Sequence, residues 1–396
     1  MVDVRSVFEY GLAFFTIFLT VFFLLLFFVN RGGIARSPKP PKKLPTLTIL
    51  IPAYNEEETI AKTIESVLEA DYAPGRKKVI VIDDGSSDGT LEVAGKYARK
   101  GVLVLHQANK GKAAALNYGL EHVKTELVAS MDADSFIEKD ALMKIVGFFS
   151  DPEVGAVTSV LKVWQPKSAL EKLQRLEYLS MTFVRRLLSS INSINVTPGP
   201  LSMFRKKVFD EVGGFDVDNI LEDQEIAYRI QAHNYKIESS MDAVVHTVVP
   251  ASISALARQR VRWQRGGLRN IIKYHYLVGP RYGDFGMLIM PLAIFSVFVV
   301  FMVLLYIAYS AVNNSLGDMF RYGLDALVLG VRPLNVLSLI IFLGSVVWVV
   351  IGMRQLKGEA LSPFWLFTYL VVYAPLITLF WIATAVKEIK RERLKW

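Results

Sequence analysis

The chain has no cysteine among its 396 residues, which excludes a disulfide framework and any metal site built from thiolates. It also lacks internal repeats and low-complexity segments. Charged residues are missing from four long apolar stretches, which are Leu12–Val29, Gly286–Val312, Asn335–Met353 and Phe364–Val386. Each stretch approaches or exceeds the roughly 18 to 20 residues that cross a bilayer. The sequence therefore predicts an α-helical transmembrane region.

The composition supports a membrane protein. Hydrophobic residues make up 52% of the chain and the mean hydropathy is +0.35, which is high for a soluble globular protein. The first apolar stretch predicts a retained anchor rather than a secretory signal, because it is long and aromatic and no small-residue cleavage site follows it. Much of the net charge of +8 lies near the ends of the spans. This placement suits anionic lipid headgroups and argues against a nucleic-acid partner.

We expect three regions. Residues 1–45 form a transmembrane anchor and a basic linker, residues 46–280 form a cytoplasmic catalytic domain with interfacial helices, and residues 281–396 contain about three spans. These regions predict a multi-pass protein of the cell membrane. The tail Lys387–Trp396 has five basic residues against two acids, which favours the inside, although three spans after the catalytic domain put it outside. Either the short tail violates the bias or a C-terminal segment does not fully cross.

Strand and helix patterns alternate in the first part of the central block. The predicted strands are Leu47–Ile51, Val79–Asp83, Val102–His106 and Leu127–Met131, and the predicted helices between them are Glu56–Glu69, Leu91–Arg99 and Lys112–Val123. This alternation indicates a mostly parallel sheet with helices on both faces, and ligands bind at the carboxyl ends of such strands. Two later stretches, Trp164–Ile191 and Ile253–Ile272, are basic and amphipathic. The first suits equally an interfacial helix and a helix packed on the sheet.

Polar residues follow the first two predicted strands. After Pro52, the side chains of Tyr54 and Glu56 suit the base and ribose of a nucleotide, while Asn55 alone is explained as a helix N-cap. Asp83 and Asp84 end the second strand. Their carboxylates are placed to accept from the imide N–H of a uracil, whereas the following Ser86–Thr90 is explained as a capped turn.

Later positions suggest a phosphate, a metal and a base. Lys112 lies in a glycine-bearing turn at a helix start, which suits a phosphate. Asp132 and Asp134 follow a buried strand, where two carboxylates can share Mg²⁺ or Mn²⁺ bridging a diphosphate. Asp223 opens another helix and suits a general base, although acids in a first helical turn also stabilise the helix dipole.

The run Gln259–Trp263 carries an amide, two guanidinium groups and a large aromatic face. Sugars pack their C–H faces on Trp263 and pair their hydroxyls with Gln259 and Arg262. An aromatic-basic membrane anchor is the alternative, and it explains the tryptophan and the arginines but does not predict the glutamine.

As an ordered set, these motifs resemble the processive, inverting membrane glycosyltransferases of family two, which include cellulose, chitin, hyaluronan and poly-N-acetylglucosamine synthases. The matching pieces are Pro52–Glu56, Asp83–Ser86, Asn109–Ala113 with Ala115–Asn117, Asp132–Asp134, Gly213–Phe215, Glu222-Asp223 and Gln259-x-x-Arg262-Trp263. The family commonly has Thr-Glu-Asp at the base motif, and Leu221 replaces the threonine here. The carboxylate that carries the chemistry is retained.

The resemblance implies a GT-A catalytic domain, a UDP-sugar donor (UDP-GlcNAc or UDP-glucose) and a growing glycan as acceptor. It assigns Asp84 to the uracil, Lys112 to the donor, Asp132 and Asp134 to ribose and metal, and Asp223 to the base. The acceptor end would be formed by Gly199, Ser202, Glu222, Gln259, Arg262 and Trp263. His246 is a candidate further metal ligand, although a structural histidine explains it as well.

The partners that this resemblance allows are the lipid bilayer, through which the product is translocated, and an accessory membrane subunit. Single addition of a sugar to a polyprenyl phosphate or another lipid is the nearest alternative function. A membrane scaffold with a degenerate catalytic domain is a weaker one, because the carboxylates are intact at all four motif sites.

Overall fold

The protein is described by a computed structural model, which covers residues 4–33, 37–312, 333–356 and 362–392. One eight-stranded sheet organises the central block. Its strands are β1 (Leu47–Ala53), β2 (Lys77–Asp83), β3 (Leu103–His106), β4 (Leu127–Ser130), β5 (Ser135–Ile137), β6 (Val154–Val163), β7 (Ser202–Arg205) and β8 (Lys236–Thr247). The predicted α/β sheet with an added helical region is confirmed.

The sheet has a parallel half and a mixed half. Its strand order is β3-β2-β1-β4-β7-β6-β8-β5, and the first four strands are all parallel. Strand β7 then pairs antiparallel to both β4 and β6, and β8 returns parallel to β6. The carboxyl ends of β1, β2 and β4 therefore lie at one edge, where the sequence predicts the ligand.

The helices follow the predicted alternation. Those of the central block are α2 (Ile60–Glu69), α3 (Thr90–Gly95), α4 (Lys112–Glu121), α5 (Ala141–Val146), α6 (Ala169–Ser189), α7 (Lys206–Val212), α8 (Glu222–Ala232) and α9 (Ile253–Lys273). The interpretation of Asn55 as a helix N-cap is wrong. Helix α2 begins five residues later. The backbone of Asn55 is left-handed (φ 55°), and its side chain accepts a hydrogen bond from the backbone N–H of Ser87 at 2.8 Å.

Apolar side chains cover both faces of the sheet. Ile60 and Ile64 of α2 pack with one face, and Ala115 and Leu116 of α4 pack with the other. All four side chains are at most 1% exposed. Burial of both faces explains why β1, with every residue buried, is a continuous apolar run rather than an alternating one. The sheet is thus a rigid base for the loops at its edge.

Helix α6 packs on the sheet, as one of the two interpretations of this amphipathic stretch predicts, and it also contacts an apolar helix. Thr182 accepts from the backbone N–H of Leu161 in β6 at 3.4 Å. One residue later, the ring centroid of Phe183 lies 4.9 Å from that of Trp348 in an apolar helix. A capping box at Ser168 fixes the start of α6.

Four helices are long and apolar enough to cross a membrane. They run over Val7–Asn30 within α1 (Val4–Asn30), over Phe285–Tyr309 in a π-helical turn and α10 (Met290–Val312), over Val336–Gln355 in α11 (Pro333–Gln355), and over Pro363–Ile389. The last, which we name the C-terminal helix, consists of α12 (Pro363–Thr368), a π-helical turn (Tyr369–Tyr373) and α13 (Ala374–Ile389).

Candidate active site

A cavity of about 420 Å³ opens beyond the carboxyl end of β4. Its walls come from the loop before β7, the start of α8, and one face each of α6 and α9. Of the predicted site residues, it is lined by Lys112, Asp132, Asp134, Gly199, Glu222, Asp223, Gln259, Arg262 and Trp263. The fold therefore brings together residues that are up to about 150 positions apart in the sequence.

The loops after β1 and β2 are tied to each other beside this cavity. The backbone N–H of Asn55 donates to Ser86 at 3.0 Å, and the backbone N–H of Glu56 donates to Thr90 at 2.7 Å. Pro52 is buried within β1, whereas the ring of Tyr54 is half exposed at the strand end. An exposed ring beside a fixed loop is a surface on which a nucleotide base can stack.

Asp83 and Asp84 do not both project from the strand end as the sequence predicts. Asp83 is fully buried and lies 2.7 Å from Nδ1 of His106 in β3. Asp84 accepts from the side chain of Gln107 at 2.7 Å and from the backbone N–H groups of Lys110 and Gly111 at 3.0 and 2.8 Å. Asp84 thereby fixes the loop that delivers Lys112, and Oδ2 retains a lone pair for one further donor.

The contact between the loops after β2 and β3 depends on a glycine in the turn after β2. Gly85 has φ +74°, and a Cβ on it would lie 2.6 Å from the backbone N of Asn109. Only glycine therefore permits the loop after β2 to approach the loop after β3.

Lys112 joins the two acidic motifs. Its Nζ lies 2.5 Å from Asp132 and 3.1 Å from Glu222. Burial alone lowers the pKa of Lys112, but the carboxylates of Asp132, Glu222 and Asp223 outweigh it and raise the pKa. The lysine stays charged. A Cβ on Gly199 would lie 2.5 Å from this Nζ, so a larger residue in the loop before β7 would displace the ion pair.

Asp134 has the surroundings of a cation ligand. Burial, together with the carboxylates of Asp132 and Glu56, raises the pKa of Asp134 to about 7. Asp134, Asp132 and Glu56 are close together and partly buried, which favours the binding of a hard cation that prefers oxygen ligands. Across the described ranges there is no group of three or more His, Asp or Glu residues arranged to hold a metal by themselves. Two carboxylates completed by phosphate oxygens and water remain a fitting donor set for Mg²⁺ or Mn²⁺.

His246 is not placed with these carboxylates. Its Nε2 lies 3.3 Å from Glu138, and its ring packs edge-on against Trp164 at 5.4 Å. The next residue of β8, Thr247, lines the cavity instead, and neighbouring residues of a strand point to opposite faces. The expectation that His246 is a metal ligand is therefore corrected.

Asp223 is held at the first turn of α8. Its backbone carbonyl accepts from the N–H and the hydroxyl of Thr197, at 3.0 and 2.8 Å. Burial and then the charge of Glu222 raise the pKa of Asp223 to about 7, against the lowering effect of Lys112 and Arg262. A carboxylate with a pKa near neutrality is matched to accept a proton. Ser202, by contrast, is buried and donates to the carbonyl of Pro198, so it braces the loop outside the cavity.

The face of α9 toward the cavity carries Gln259, Arg262 and Trp263. Oε1 of Gln259 is buried and has no hydrogen-bond partner within the described part of the chain. Arg260, which the sequence analysis did not single out, is buried and donates to Glu177 of α6 at 2.7 Å. Tyr373 of the C-terminal helix donates to the same carboxylate at 2.7 Å. This pairing ties α9 to α6 and to the membrane helices.

Arg185 of α6 is a second functional candidate that sequence reasoning missed. Its guanidinium lines the cavity, is 3% exposed, and makes one hydrogen bond, to Thr182 on its own helix. Nε has no hydrogen-bond partner among the described residues. Burial lowers the pKa of Arg185 to about 10 and outweighs the charge of Asp223, which raises it, so Arg185 remains a cation at neutral pH. Nothing in the sequence separated it from the other basic residues of this helix.

Comparison with known proteins agrees with this geometry. Residues 48–213 match the sequence model of the family described as glycosyl transferase family 2. The chain is 32% identical over 267 residues to the poly-beta-1,6-N-acetyl-D-glucosamine synthase of Staphylococcus aureus and 33% identical over 267 residues to that of Staphylococcus epidermidis. Each match covers 65% of this chain and 64% of the relative, so the similarity spans just under two thirds of those proteins.

A solved structure shares the fold over nearly the whole chain. It is that of a mannosyltransferase from Pyrobaculum calidifontis in complex with GDP-Man and Mn²⁺. The TM-score is 0.62 and the sequence identity is 21%, with 98% of this chain and 100% of that chain covered. The likeness extends beyond the sheet into the apolar helices.

Proposed function

We propose that the protein transfers a sugar from a UDP-sugar to the hydroxyl end of a growing polysaccharide, with inversion at the anomeric carbon, because residues 48–213 match the sequence model of glycosyl transferase family 2. The observation that carries this proposal is the shared cavity. It joins the carboxylates and lysine of a donor site to the amide, guanidinium and indole of a sugar-binding face. The poly-N-acetylglucosamine synthase relatives support UDP-GlcNAc as the donor, with UDP-glucose second.

The donor is held at the edge of the sheet. Tyr54, Glu56 and the remaining lone pair of Asp84 face the nucleoside, and Lys112 meets the diphosphate. Asp132 and Asp134 would hold Mg²⁺ or Mn²⁺, which when bound supplies positive charge to the departing diphosphate. The related mannosyltransferase was solved with Mn²⁺, which accords with this donor set.

Transfer is a single displacement. Asp223 accepts the proton of the acceptor hydroxyl, whose oxygen forms a bond to C1 of the sugar from the face opposite the diphosphate. The bond from C1 to the diphosphate oxygen breaks, and the electron pair leaves with UDP. Lys112 stays charged beside Asp132, and its charge stabilises the leaving group throughout.

The acceptor approaches along α9. Trp263 offers a ring on which the terminal sugar packs, and Gln259 has a buried oxygen ready to accept from a sugar hydroxyl. The apolar helices beside α6 and α9 suit a multi-pass protein of the cell membrane with its catalytic domain in the cytoplasm, and translocation of the product between them. An accessory membrane subunit could join at the same helices.

One experiment tests this function. Purified protein in lipid is incubated with a series of nucleotide sugars, UDP release is measured, and the product is sized. We expect release from UDP-GlcNAc or UDP-glucose and a ladder or polymer of many additions. Single-addition products only would reject the polysaccharide assignment while keeping the glycosyltransferase.

A second function is favoured by Arg185. Arg185 is a buried cation whose Nε has no hydrogen-bond partner among the described residues, and an anionic ligand in the cavity would supply one. The phosphate of a polyprenyl phosphate is such an anion, so single addition to a lipid phosphate is the alternative. Offering the enzyme a polyprenyl phosphate and a neutral oligosaccharide side by side separates the two functions.

A further inference from the structure

The C-terminal helix is apolar enough to span a membrane, yet the catalytic block binds it along its whole length. Near its start, Nζ of Lys172 in α6 lies 5.4 Å from the ring centroid of Trp365. In its middle, Tyr373 donates to Glu177 of α6 at 2.7 Å. At its end, Glu388 pairs with Arg265 and Arg269 of α9, at 2.5 and 3.2 Å.

These partners all belong to α6 and α9, so the start, the middle and the end of the helix lie against the catalytic block. Tyr373 and Glu388 are about 22 Å apart along a helix at 1.5 Å per residue. Glu177, the partner of Tyr373, pairs in turn with Arg260 of α9, and Glu388 pairs with Arg265. Glu388 also pairs with Arg269, which lies about 13.5 Å from Arg260 along α9 at 1.5 Å per residue. Thr384 also donates to Gln264 at 2.8 Å, so the helix runs beside α9 rather than away from it.

The other three apolar helices behave differently. α11 meets the catalytic block at one end only, where the site of a Cβ on Gly352 lies 2.9 Å from Phe183. α1 and α10 meet each other far from that block, where Tyr306 donates to Glu9 at 2.7 Å. These three helices therefore have a near end and a far end, which is the pattern of a crossing.

The exposed side of the C-terminal helix is apolar. It presents Phe364, Phe367, Val372, Leu379, Ile382 and Val386. Its buried side reaches other spans, since the ring centroid of Trp381 lies 5.9 Å from that of Phe301 in α10. The apolar face is thus continuous with the membrane-spanning surface, and the tail beyond Ile389 is basic. A helix with one apolar face, one bonded face and a basic end suits the boundary of a leaflet.

We propose that the C-terminal helix does not cross the membrane but lies in the leaflet on the side of the catalytic domain, with its apolar face docked on lipid. Of the four apolar helices that the structure describes, α1, α10 and α11 then cross the membrane. The basic residues that follow Ile389 lie on the side of the catalytic domain, as their charge favours. This arrangement goes beyond the proposed transfer reaction and is independent of it.

The absence of cysteine makes the test direct. Single-cysteine variants Lys390→Cys (tail), Lys100→Cys (exposed in the catalytic block) and Tyr309→Cys (far end of α10) are treated with a membrane-impermeant maleimide in intact and permeabilised cells. We expect Lys390→Cys to label under the same condition as Lys100→Cys and the opposite condition to Tyr309→Cys. Labelling of Lys390→Cys together with Tyr309→Cys would overturn the proposal. No catalysis is needed, so failure of the proposed function leaves this readout intact.

Depth gives a second, independent measurement. Nitroxides are attached at Phe367→Cys, Leu379→Cys and Val386→Cys in the full chain reconstituted in anionic vesicles. We expect lipid-soluble oxygen to enhance the relaxation of all three nitroxides. The three depths should be similar and lie within one leaflet. A depth that passes through the bilayer centre to the opposite surface would show a crossing. Nitroxides hidden from oxygen would show that a second protein copy, not lipid, covers this face, and either result rejects the proposal.

Discussion

The guanidinium of Arg260 lies 4.1 Å from the centroid of the Trp263 ring, and the same guanidinium donates to Glu177. The acceptor-side tryptophan is therefore positioned by a buried ion pair that joins α9 to α6. Because Tyr373 donates to the same glutamate, the apolar C-terminal helix also contributes to the position of a ring in the cavity. The ring of Trp263 is thus connected to the C-terminal helix through the side chains of Arg260, Glu177 and Tyr373.

Asp223→Asn should abolish sugar transfer while UDP binding stays nearly intact. The amide keeps the size of the side chain but cannot accept the acceptor's proton, and loss of a general base costs about 10² to 10⁴ in rate. Transfer rates and UDP titrations of the variant check this. Near-normal turnover would remove Asp223 from the mechanism, and Asp210→Asn on exposed α7 is the control that should leave both values unchanged.

The acid side of the pH profile should report the raised pKa of Asp223. The base acts only when ionised, so log kcat/KM should rise with pH and level off above about 7, well above the usual carboxylate range. Glu222→Gln removes a negative neighbour that raises this pKa, so the rise should move to lower pH. If the pH of this rise is unchanged in Glu222→Gln, the profile would instead report the ionisation of Asp134. The pKa of Asp134 is raised by burial and by the carboxylates of Asp132 and Glu56.

Trp263→Ala should impair transfer to a sugar acceptor far more than hydrolysis of the UDP-sugar by water. An aromatic platform contributes about 0.5 to 1.5 kcal/mol beyond its area in measured ring pairs, and water needs no platform. Tyr373→Phe should lower the ratio of transfer to hydrolysis in the same direction but less, because it removes one bond to Glu177. Tyr369→Phe, which keeps the ring stack with Tyr373, is the matched control. A parallel fall of transfer and hydrolysis would make Trp263 a structural anchor.

Activity should require Mg²⁺ or Mn²⁺. EDTA should abolish transfer, and either metal should restore it. Asp134→Asn should raise the metal concentration for half-activation at least about tenfold, because one of two carboxylates is lost. His246→Ala should leave that concentration unchanged, since its ring contacts Glu138 and Trp164. Full activity after EDTA treatment would contradict the metal assignment.

The sequence predicted the parts of the fold and site that depend on local pattern. Strands β1 to β4 follow from their apolar runs and the helices between them, and the cavity contains Lys112 and Asp132, which come after the carboxyl ends of β3 and β4. It did not predict the antiparallel insertion of β7 between β4 and β6, because that strand is four residues long and pairs with segments far along the chain.

The sequence also misjudged side chains whose environment is set by tertiary contacts. Periodicity placed Arg185 among the polar residues of α6, away from the apolar face, but the structure buries it in the cavity. Asp83 was expected to project from its strand, but the histidine that covers it comes from β3. Neither contact is local, so no window of sequence contains it.

The variant Arg185→Gln should show whether the acceptor carries an anionic group that pairs with Arg185. If an oxyanion of the acceptor pairs with this guanidinium, the KM for a polyprenyl phosphate should rise about tenfold or more, because a charge-assisted bond contributes about 1.5 to 3 kcal/mol. The KM for a neutral oligosaccharide should change little. Arg186→Gln is the matched control, since the adjacent arginine pairs with Glu238. Initial rates with both acceptors and both variants are measured. An equal loss with both acceptors would show that Arg185 does not recognise an acceptor anion and instead supports the cavity that both acceptors share.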